Sequence, residues 1–471
     1  MKKYLQFFES MAPERDKWKR KNWYYWEDLE NFCCFLVSEN ASVLEVGCGT
    51  GDLLASLKTR DRAGIDYSSG MIEIARKKYP DIDFFCMEAE ELTFDKPFDY
   101  IILSNTIGYL EDIQRVFSEL KKVCHPHTKI IVTYYNFLWQ PVLNIAEHLG
   151  LRMKQPEQNW LSGPDINNLL YQAGFDAFKG GERLLFPVYI PLLSMGINKY
   201  IAKLPFFRKL CITNYTIAKP LPIQSEEKFK GKYSVSVIIP ARNESGNIEN
   251  AIQRMPFMGR HTEIIFVEGN SSDDTWWKIQ EVFEKYKGAY DIKIAQQEGK
   301  GKGDAVRKGF DMASGDILMI LDADLTVPPE DLPKFYDSMA SGKGEFINGS
   351  RLVYNMDKKA MRFLNILGNK FFSMMFTWLL DQRFKDTLCG TKAIFKCDYE
   401  QLKNGRSYFG EFDPFGDFDL ILGASKLNLK IVEIPIRYKE RTYGSTNISR
   451  FKHGLILLRM CLFASRKIKF I

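Results

Sequence analysis

From residue 41 onward, apolar runs of strand length alternate with stretches whose apolar residues recur every three or four positions. SVLEVG, AGIDYS, FDYIILSN and TKIIVTYYN read as strands, and LLASLKT, MIEIARKKY and DIQRVFSELKKV as amphipathic helices. Such alternation predicts a parallel, doubly wound sheet. The rhythm fades after about residue 180 into LLFPVYIPLLSMGINKYIAKLPFF, which is apolar but broken by prolines. AKPLPIQSEEKFKGKY, residues 218–233, is polar with Pro and Gly and reads as a linker. The alternation resumes at 234 with the strands VSVIIPA, EIIFVEG, IKIAQQ and DILMILDAD, and with helices beginning near Asn247, Asp274 and Gly303.

A chain of 471 residues is too long for one hydrophobic core. The expectation is α/β, with two doubly wound domains spanning 1–217 and 234–471, joined by the linker 218–233. Hydrophobic content of 45% with 26% charged residues marks a folded chain, and a net charge of +6 is too mild to argue for nucleic acid. The nine cysteines form no CxxC pair, which suggests reduced thiols and a cytoplasmic setting. The charged, aromatic N-terminus lacks the apolar core of a signal peptide, and no stretch has the ~18 apolar residues that span a bilayer. The expected location is cytoplasmic, or peripheral on the inner face of the membrane.

LEVGCGTGD places Gly47, Gly49 and Gly51 on the turn between the first strand and the first helix of the alternating region. Backbone without side chains lets a ligand approach a helix N-terminus closely. Asp52 stands where a nicotinamide fingerprint requires another glycine. Glu45 precedes the turn, and Asp66 ends the next strand, where a carboxylate can accept both hydrogen bonds of a ribose diol. A tight turn with close helix packing is the bland alternative; the two acids and the strand context favour a nucleoside-type ligand.

VLEVGCGTG, GIDYS, FFCMEAEELTF and FDYIILSNTIGYLED together resemble class I S-adenosylmethionine-dependent methyltransferases over roughly residues 40–180. The resemblance implies that Glu45 and the three glycines hold the methionine part and Asp66 the ribose. Glu88, with Ala89, would reach the adenine, and Ser104 and Asn105 would lie beside the cofactor. Tyr109, His125 and His127 are candidate bases, and none is singled out by its surroundings in sequence. The methyl acceptor is not readable.

In the second half, LMILDADLTVPPED ends an apolar strand in Asp322 and Asp324. Two carboxylates this close repel unless a cation is shared, and hard oxygen donors suit Mg²⁺ or Mn²⁺. A calcium EF-hand loop is excluded, since Val327 and Pro333 occupy positions that need Gly and Glu. Taken alone, the doublet serves equally to cap the helix at PPEDLPKFY. VSVIIPARNESGNI, EIIFVEGNSSDDT and GKGDAVRKGFDMASGDILMILDAD resemble family 2 glycosyltransferases of the GT-A fold across residues 233–450. The resemblance implies a nucleotide pocket of Pro240, Ala241, Asn243 and Glu244, with Glu268 at the base or ribose. Asp322 and Asp324 would be the metal-binding pair that holds a UDP- or GDP-linked sugar. Gly269 stands where the family commonly has a second acid. The lysines of EGKGKGD read equally as a solvated helix start and as phosphate contacts.

KERTYGSTN, SRLV and DTLCGTKAIF resemble dolichyl-phosphate mannose synthase-type enzymes. That resemblance implies a polyprenyl phosphate, or a related glycan acceptor, bound by Arg441, Ser445 and Arg351. Asp419 would orient acceptor or sugar, with Asp417 its rival. The helix RFLNILGNKFFSMMFTWLLD carries a polar stripe at Arg362, Asn365, Asn369, Ser373, Thr377 and Asp381, compatible with a core helix as well. RFKHGLILLRMCLFASRKIKFI is amphipathic and cationic, suited to an anionic bilayer surface or to docking on protein. No nucleic-acid motif is present. The sequence thus predicts a bifunctional glycosyltransferase and methyltransferase, the alternatives being a non-catalytic N-terminal scaffold or a soluble saccharide acceptor.

Overall fold

The computed structural model describes residues 4–221, 231–351, 363–405, 418–437, 443 and 450–470. The chain divides into two compact units, Met1–Leu221 with Phe470, and Pro222–Lys469 with Ile471.

The N-terminal unit is built on a seven-stranded sheet: β1 (Ser42–Val46), β2 (Asp61–Asp66), β3 (Asp83–Cys86), β4 (Phe98–Ser104), β5 (Cys124–Tyr135), β6 (Phe175–Arg183) and β7 (Thr213–Pro220). Their order is β3-β2-β1-β4-β5-β7-β6. The first five strands are parallel, whereas β7 runs antiparallel between β5 and β6, so the wholly parallel sheet expected from the alternation is in fact mixed. Successive side chains point to opposite faces of a strand. Leu44, Val46, Ile101 and Leu103 accordingly fill one core layer and Val43, Tyr100, Ile102 and Ile131 the other. Burial on both faces explains why these strands read as near-continuous apolar runs. Strand β7 extends to Pro220, three residues into the stretch expected to be linker.

The second sheet comprises β8 (Ser234–Ala241), β9 (His261–Glu268), β10 (Asp291–Gln296), β11 (Ile317–Ile320), β12 (Phe346–Ser350), β13 (Lys392–Phe395) and β14 (Ile431–Pro435). The order is β10-β9-β8-β11-β13-β12-β14, with β13 antiparallel to both neighbours. Val237, Ile239 and Phe266 face one helical layer, and Ile238, Ile265 and Val267 the other. Each sheet reverses its direction of growth beside its first strand, at β1/β4 and at β8/β11. Such a switch point opens a crevice at the carboxyl ends of the strands.

The C-terminal helix Arg450–Ile468 turns Leu457, Met460, Cys461 and Ala464 into the core of its own unit, beside Phe376 and Leu380. Lys469 is buried and pairs with Asp381 at 2.5 Å. Of the helix expected to carry a polar stripe, now Phe363–Leu380, Ser373 and Thr377 donate to the Phe384 carbonyl at 2.7 and 3.1 Å. The described stripe members therefore pin neighbouring segments. Among the described residues, no helix is long and apolar enough to cross a membrane.

Candidate functional sites

At the carboxyl end of β1 the chain makes three left-handed turns, at Gly47 (φ +76°), Gly49 (φ +53°) and Gly51 (φ +82°). A Cβ at Gly47 would lie 2.5 Å from the Thr106 side chain, and one at Gly49 2.7 Å from the Arg15 guanidinium, so glycine is required by both φ and space. Asp66 accepts hydrogen bonds from the Gly49 and Ser68 amides at 2.9 and 3.0 Å, which ties the second strand to the turn. Burial raises the Asp66 pKa, against those two hydrogen bonds.

Glu45 is 3% exposed, and its Oε2 is buried without a hydrogen-bond partner. Burial pushes its pKa up to about 8, with Lys19 and Arg15 opposing the rise. A buried carboxyl group with an unpartnered oxygen beside a glycine cradle fits a ligand ammonium group, which would supply the missing donor. The donor set therefore suits the amino-acid end of S-adenosylmethionine.

The glycine turn borders a cavity of about 510 Å³, although neither Glu45 nor Gly51 lines it. Gly47, Gly49, Asp66, Ser104, Asn105 and Tyr109 all line it. Glu88 is exposed and does not; Met87, Ala89 and Glu90 form that part of the wall. His125 is bonded to Asp99 at 3.0 Å at the start of β5, and neither it nor His127 borders the cavity. Tyr109 donates to Gln155 at 3.0 Å. Asn105, in a left-handed conformation (φ +54°), donates to the Tyr25 hydroxyl at 2.9 Å.

The N-terminal helix Leu5–Lys21, not expected from the alternating pattern, supplies Phe8, Arg15, Trp18 and Lys19 to the cavity wall. Glu9 holds this helix to the amides of Ser69 and Gly70 at 2.6 and 3.0 Å, and Lys19 pairs with Asp52 at 2.8 Å. Its signal in sequence is aromatic and cationic residues at helical spacing. The outer wall comes from Tyr135, Trp139, Val142, Arg152 and Phe186.

In the second unit, Pro240 and Ala241 end β8 and Glu268 ends β9, with Val267 and Glu268 as their direct partners in register. Asn243 (φ +56°) accepts from the Ser272 amide at 2.9 Å and donates its own amide to Ser271 at 3.0 Å. Glu244 accepts from Asn247 at 2.8 Å. Glu268, 1% exposed, accepts from the Ser271 amide at 2.5 Å and from Gln296 at 3.0 Å. Its carboxylate thus shapes the loop that follows β9. Gly269 donates to the Ala241 carbonyl at 2.8 Å, closing the two strand ends together.

Asp322 and Asp324 follow β11 at the switch point. Lys302 Nζ lies 2.6 Å from Asp322 Oδ1. Burial opposes ionisation of Asp322, but Lys302, then Lys392 and Arg351, override it and hold the carboxyl below its usual range. Asp324 accepts from the Thr326 hydroxyl and amide at 2.8 and 3.1 Å, and Leu325 between them is left-handed (φ +49°). Among the described residues no three His, Cys, Asp or Glu side chains gather as a metal cage. A doublet of neighbouring carboxylates fits a Mg²⁺- or Mn²⁺-type ion that keeps positions for phosphates.

Gly390, in the segment DTLCGT, packs directly on this pair; a Cβ there would lie 2.2 Å from Asp322 Oδ2 and 2.3 Å from Lys302 Nζ. Arg351, expected at an acceptor phosphate, is held by a buried bidentate bond to Asp386 at 2.7 and 2.8 Å. Asp419, in the first turn of the helix Phe418–Lys426, lies 3.9 Å from Arg307. Arg441, Ser445 and Asp417 fall outside the described residues.

Residues 43–127 match the model of a methyltransferase domain, and residues 236–401 that of glycosyl transferase family 2. The chain carries these two domains in that order. Over 221 residues it is 34% identical to a dolichol-phosphate mannosyltransferase of Pyrococcus furiosus, which covers 45% of this chain and 59% of that protein. It is 38% identical over 110 residues to the Saccharomyces cerevisiae dolichol-phosphate mannosyltransferase, covering 22% of this chain and 40% of that protein. Both relatives are thus matched over less than two thirds of their length. A SAM-dependent methyltransferase of Thermotoga maritima aligns with 46% of this chain and 98% of its own at 20% identity, TM-score 0.36. Glucosyl-3-phosphoglycerate synthase of Mycobacterium tuberculosis, in complex with Mn²⁺, UDP and phosphoglyceric acid, aligns with 52% of this chain and 81% of its own at 18% identity, TM-score 0.39.

Proposed function

We propose that the protein is bifunctional: its C-terminal unit transfers a sugar from a UDP- or GDP-linked donor to a polyprenyl phosphate at a membrane surface, and its N-terminal unit transfers a methyl group from S-adenosylmethionine. The observation that carries the first half is an ionised Asp322 held among Lys302, Lys392 and Arg351 at the sheet's switch point. A carboxylate doublet flanked by cations suits a divalent ion and a diphosphate together.

Asp322 and Asp324 would hold the metal, which when bound offsets the charge of the departing nucleoside diphosphate. Pro240, Ala241, Asn243, Glu244 and Glu268 shape the nucleotide cleft. An acceptor phosphate is already ionised near neutral pH, so attack with inversion at the anomeric carbon requires no strong base. Arg441 and Ser445 are assigned to that phosphate and Asp419 to orienting acceptor or sugar. Arg351, engaged by Asp386, supports the site rather than gripping the acceptor.

In the N-terminal unit, Glu45 and the three glycines would seat the methionine end and Asp66 the ribose, with Met87, Ala89 and Glu90 around the base. The bound cofactor brings an already activated methyl group, so the residues contribute mainly alignment and exclusion of water. The test is incubation with labelled nucleotide sugars, short-chain polyprenyl phosphates and Mn²⁺, with products weighed by mass spectrometry. Asp322→Ala and Arg441→Ala should abolish sugar transfer with the fold kept; wild-type rates in either refute the mechanism. Calorimetry with S-adenosylmethionine tests the other half independently, and no heat would remove it.

A further inference from the structure

Around the mouth of the N-terminal cavity lies an apolar surface that neither proposed reaction uses. Its first part is one face of the segment Phe137–Leu149: Leu138, Val142, Ile145 and Leu149 recur at helical spacing, and all four are exposed. A globular helix ordinarily turns such a stripe inward. Its second part is the irregular segment 188–210, where Leu192 is 81% and Phe206 73% exposed. The two parts adjoin, since Trp139 donates to the Leu210 carbonyl at 2.7 Å and Asn136 to those of Lys209 and Cys211 at 2.9 Å. Both also border the cavity, through Val142 and Leu151 on one side and Pro187 and Val188 on the other.

The charge of this surface indicates what covers it. From Arg183 to Ser225 the chain contains no Asp or Glu, whereas Lys199 and Lys209 stand exposed among the apolar residues. Short helices, prolines, exposed aromatics and lysines without acids are the composition of a segment lying at a lipid–water interface. A protein-binding patch would more ordinarily be rimmed by charges of both signs. The C-terminal helix is a weaker candidate for that contact, because Leu457, Met460, Cys461 and Ala464 are buried in its own unit and Leu455 and Leu462 are its exposed described leucines.

We propose that this apolar rim, free of acids from Arg183 to Ser225, docks on an anionic bilayer, so that the methyltransferase cavity opens among lipid headgroups. The methyl acceptor is then the headgroup of a bilayer-borne amphiphile, a deduction that rests on the methyltransferase reading above.

The experiment uses the full chain in flotation with vesicles of phosphatidylcholine, alone and mixed equally with phosphatidylglycerol. Leu192→Glu/Phe206→Glu changes two highly exposed side chains, and Phe257→Glu, 74% exposed on the other unit, is the control. The wild type and the control should float with the anionic vesicles, and the double variant should partition about tenfold less. Wild type that ignores both vesicles, or a double variant that floats as well as wild type, overturns the proposal. So does a double variant that changes the oligomeric state with flotation intact, the result expected if a second protein covers the surface. Calorimetry with S-adenosylhomocysteine is read beside it: cofactor binding without flotation refutes the docking, and flotation without cofactor binding refutes only the methyltransferase reading.

Discussion

Lys302 Nζ sits 2.6 Å from Asp322 Oδ1, so the carboxylate expected to take a metal already has an ammonium counter-charge within the chain. A cation arriving at Asp322 must displace or share that partner. Lys302→Met should therefore tighten Mn²⁺ binding to the nucleotide-free protein roughly tenfold, the scale expected from removing one nearby positive charge. Electron paramagnetic resonance of free Mn²⁺ measures this, and an unchanged affinity would show that Lys302 and the metal do not compete.

Gly390 allows backbone to touch the same pair. In Gly390→Ala the new methyl group would meet Asp322 and Lys302 at under 2.5 Å, so one or both side chains must move. Sugar transfer should fall by roughly a hundredfold or more, because displacement of positioning groups is costly even when the fold survives. Product formation near the wild-type rate would mean the segment DTLCGT does not press on the working site.

Asp386 is fully buried beneath Arg351. Asp386→Asn keeps the shape but leaves a largely buried guanidinium without its counter-charge, which should cost about 3–5 kcal/mol of stability. Thermal unfolding of the C-terminal unit reads this directly. A midpoint equal to wild type would return Arg351 to the list of groups available for an acceptor phosphate.

Glu45, with its pKa pushed up to about 8, binds a proton in the folded state that it loses in the unfolded chain above the ordinary value near 4.5. The folded state holds more protons in that window, so this group's contribution to stability is full below about pH 4.5 and is lost as pH rises to about 8. Glu45→Gln should flatten that part of the stability profile. If the cofactor's ammonium occupies the site, binding near pH 6.5 should also release a proton from Glu45, seen by calorimetry as heats that depend on buffer ionisation enthalpy. Equal heats in every buffer would place the ammonium elsewhere.

Much of the frame was legible because it rests on short-range signals. Alternation of strand and helix periods announced β1, β2, β4 and β5, and β8–β11, and the glycines and carboxylates at their ends marked both crevices. Strands β6 and β7 were not legible: FDAFKGGER carries few apolar residues, since an edge strand is buried less completely than a central one. The N-terminal helix was equally silent, because its role is set by where Glu9 and Lys19 land, some 60 and 33 positions away in sequence.

By itself, then, the sequence determined two α/β units, the glycine turn and the acidic doublet, each encoded within a few neighbouring residues. Tertiary structure alone decided that Lys302 answers Asp322, that Arg351 is held by Asp386, and that the C-terminal helix turns Leu457, Met460, Cys461 and Ala464 inward. Periodicity fixes which face of an element is apolar, but only packing between distant segments selects the partner for that face or for a charge.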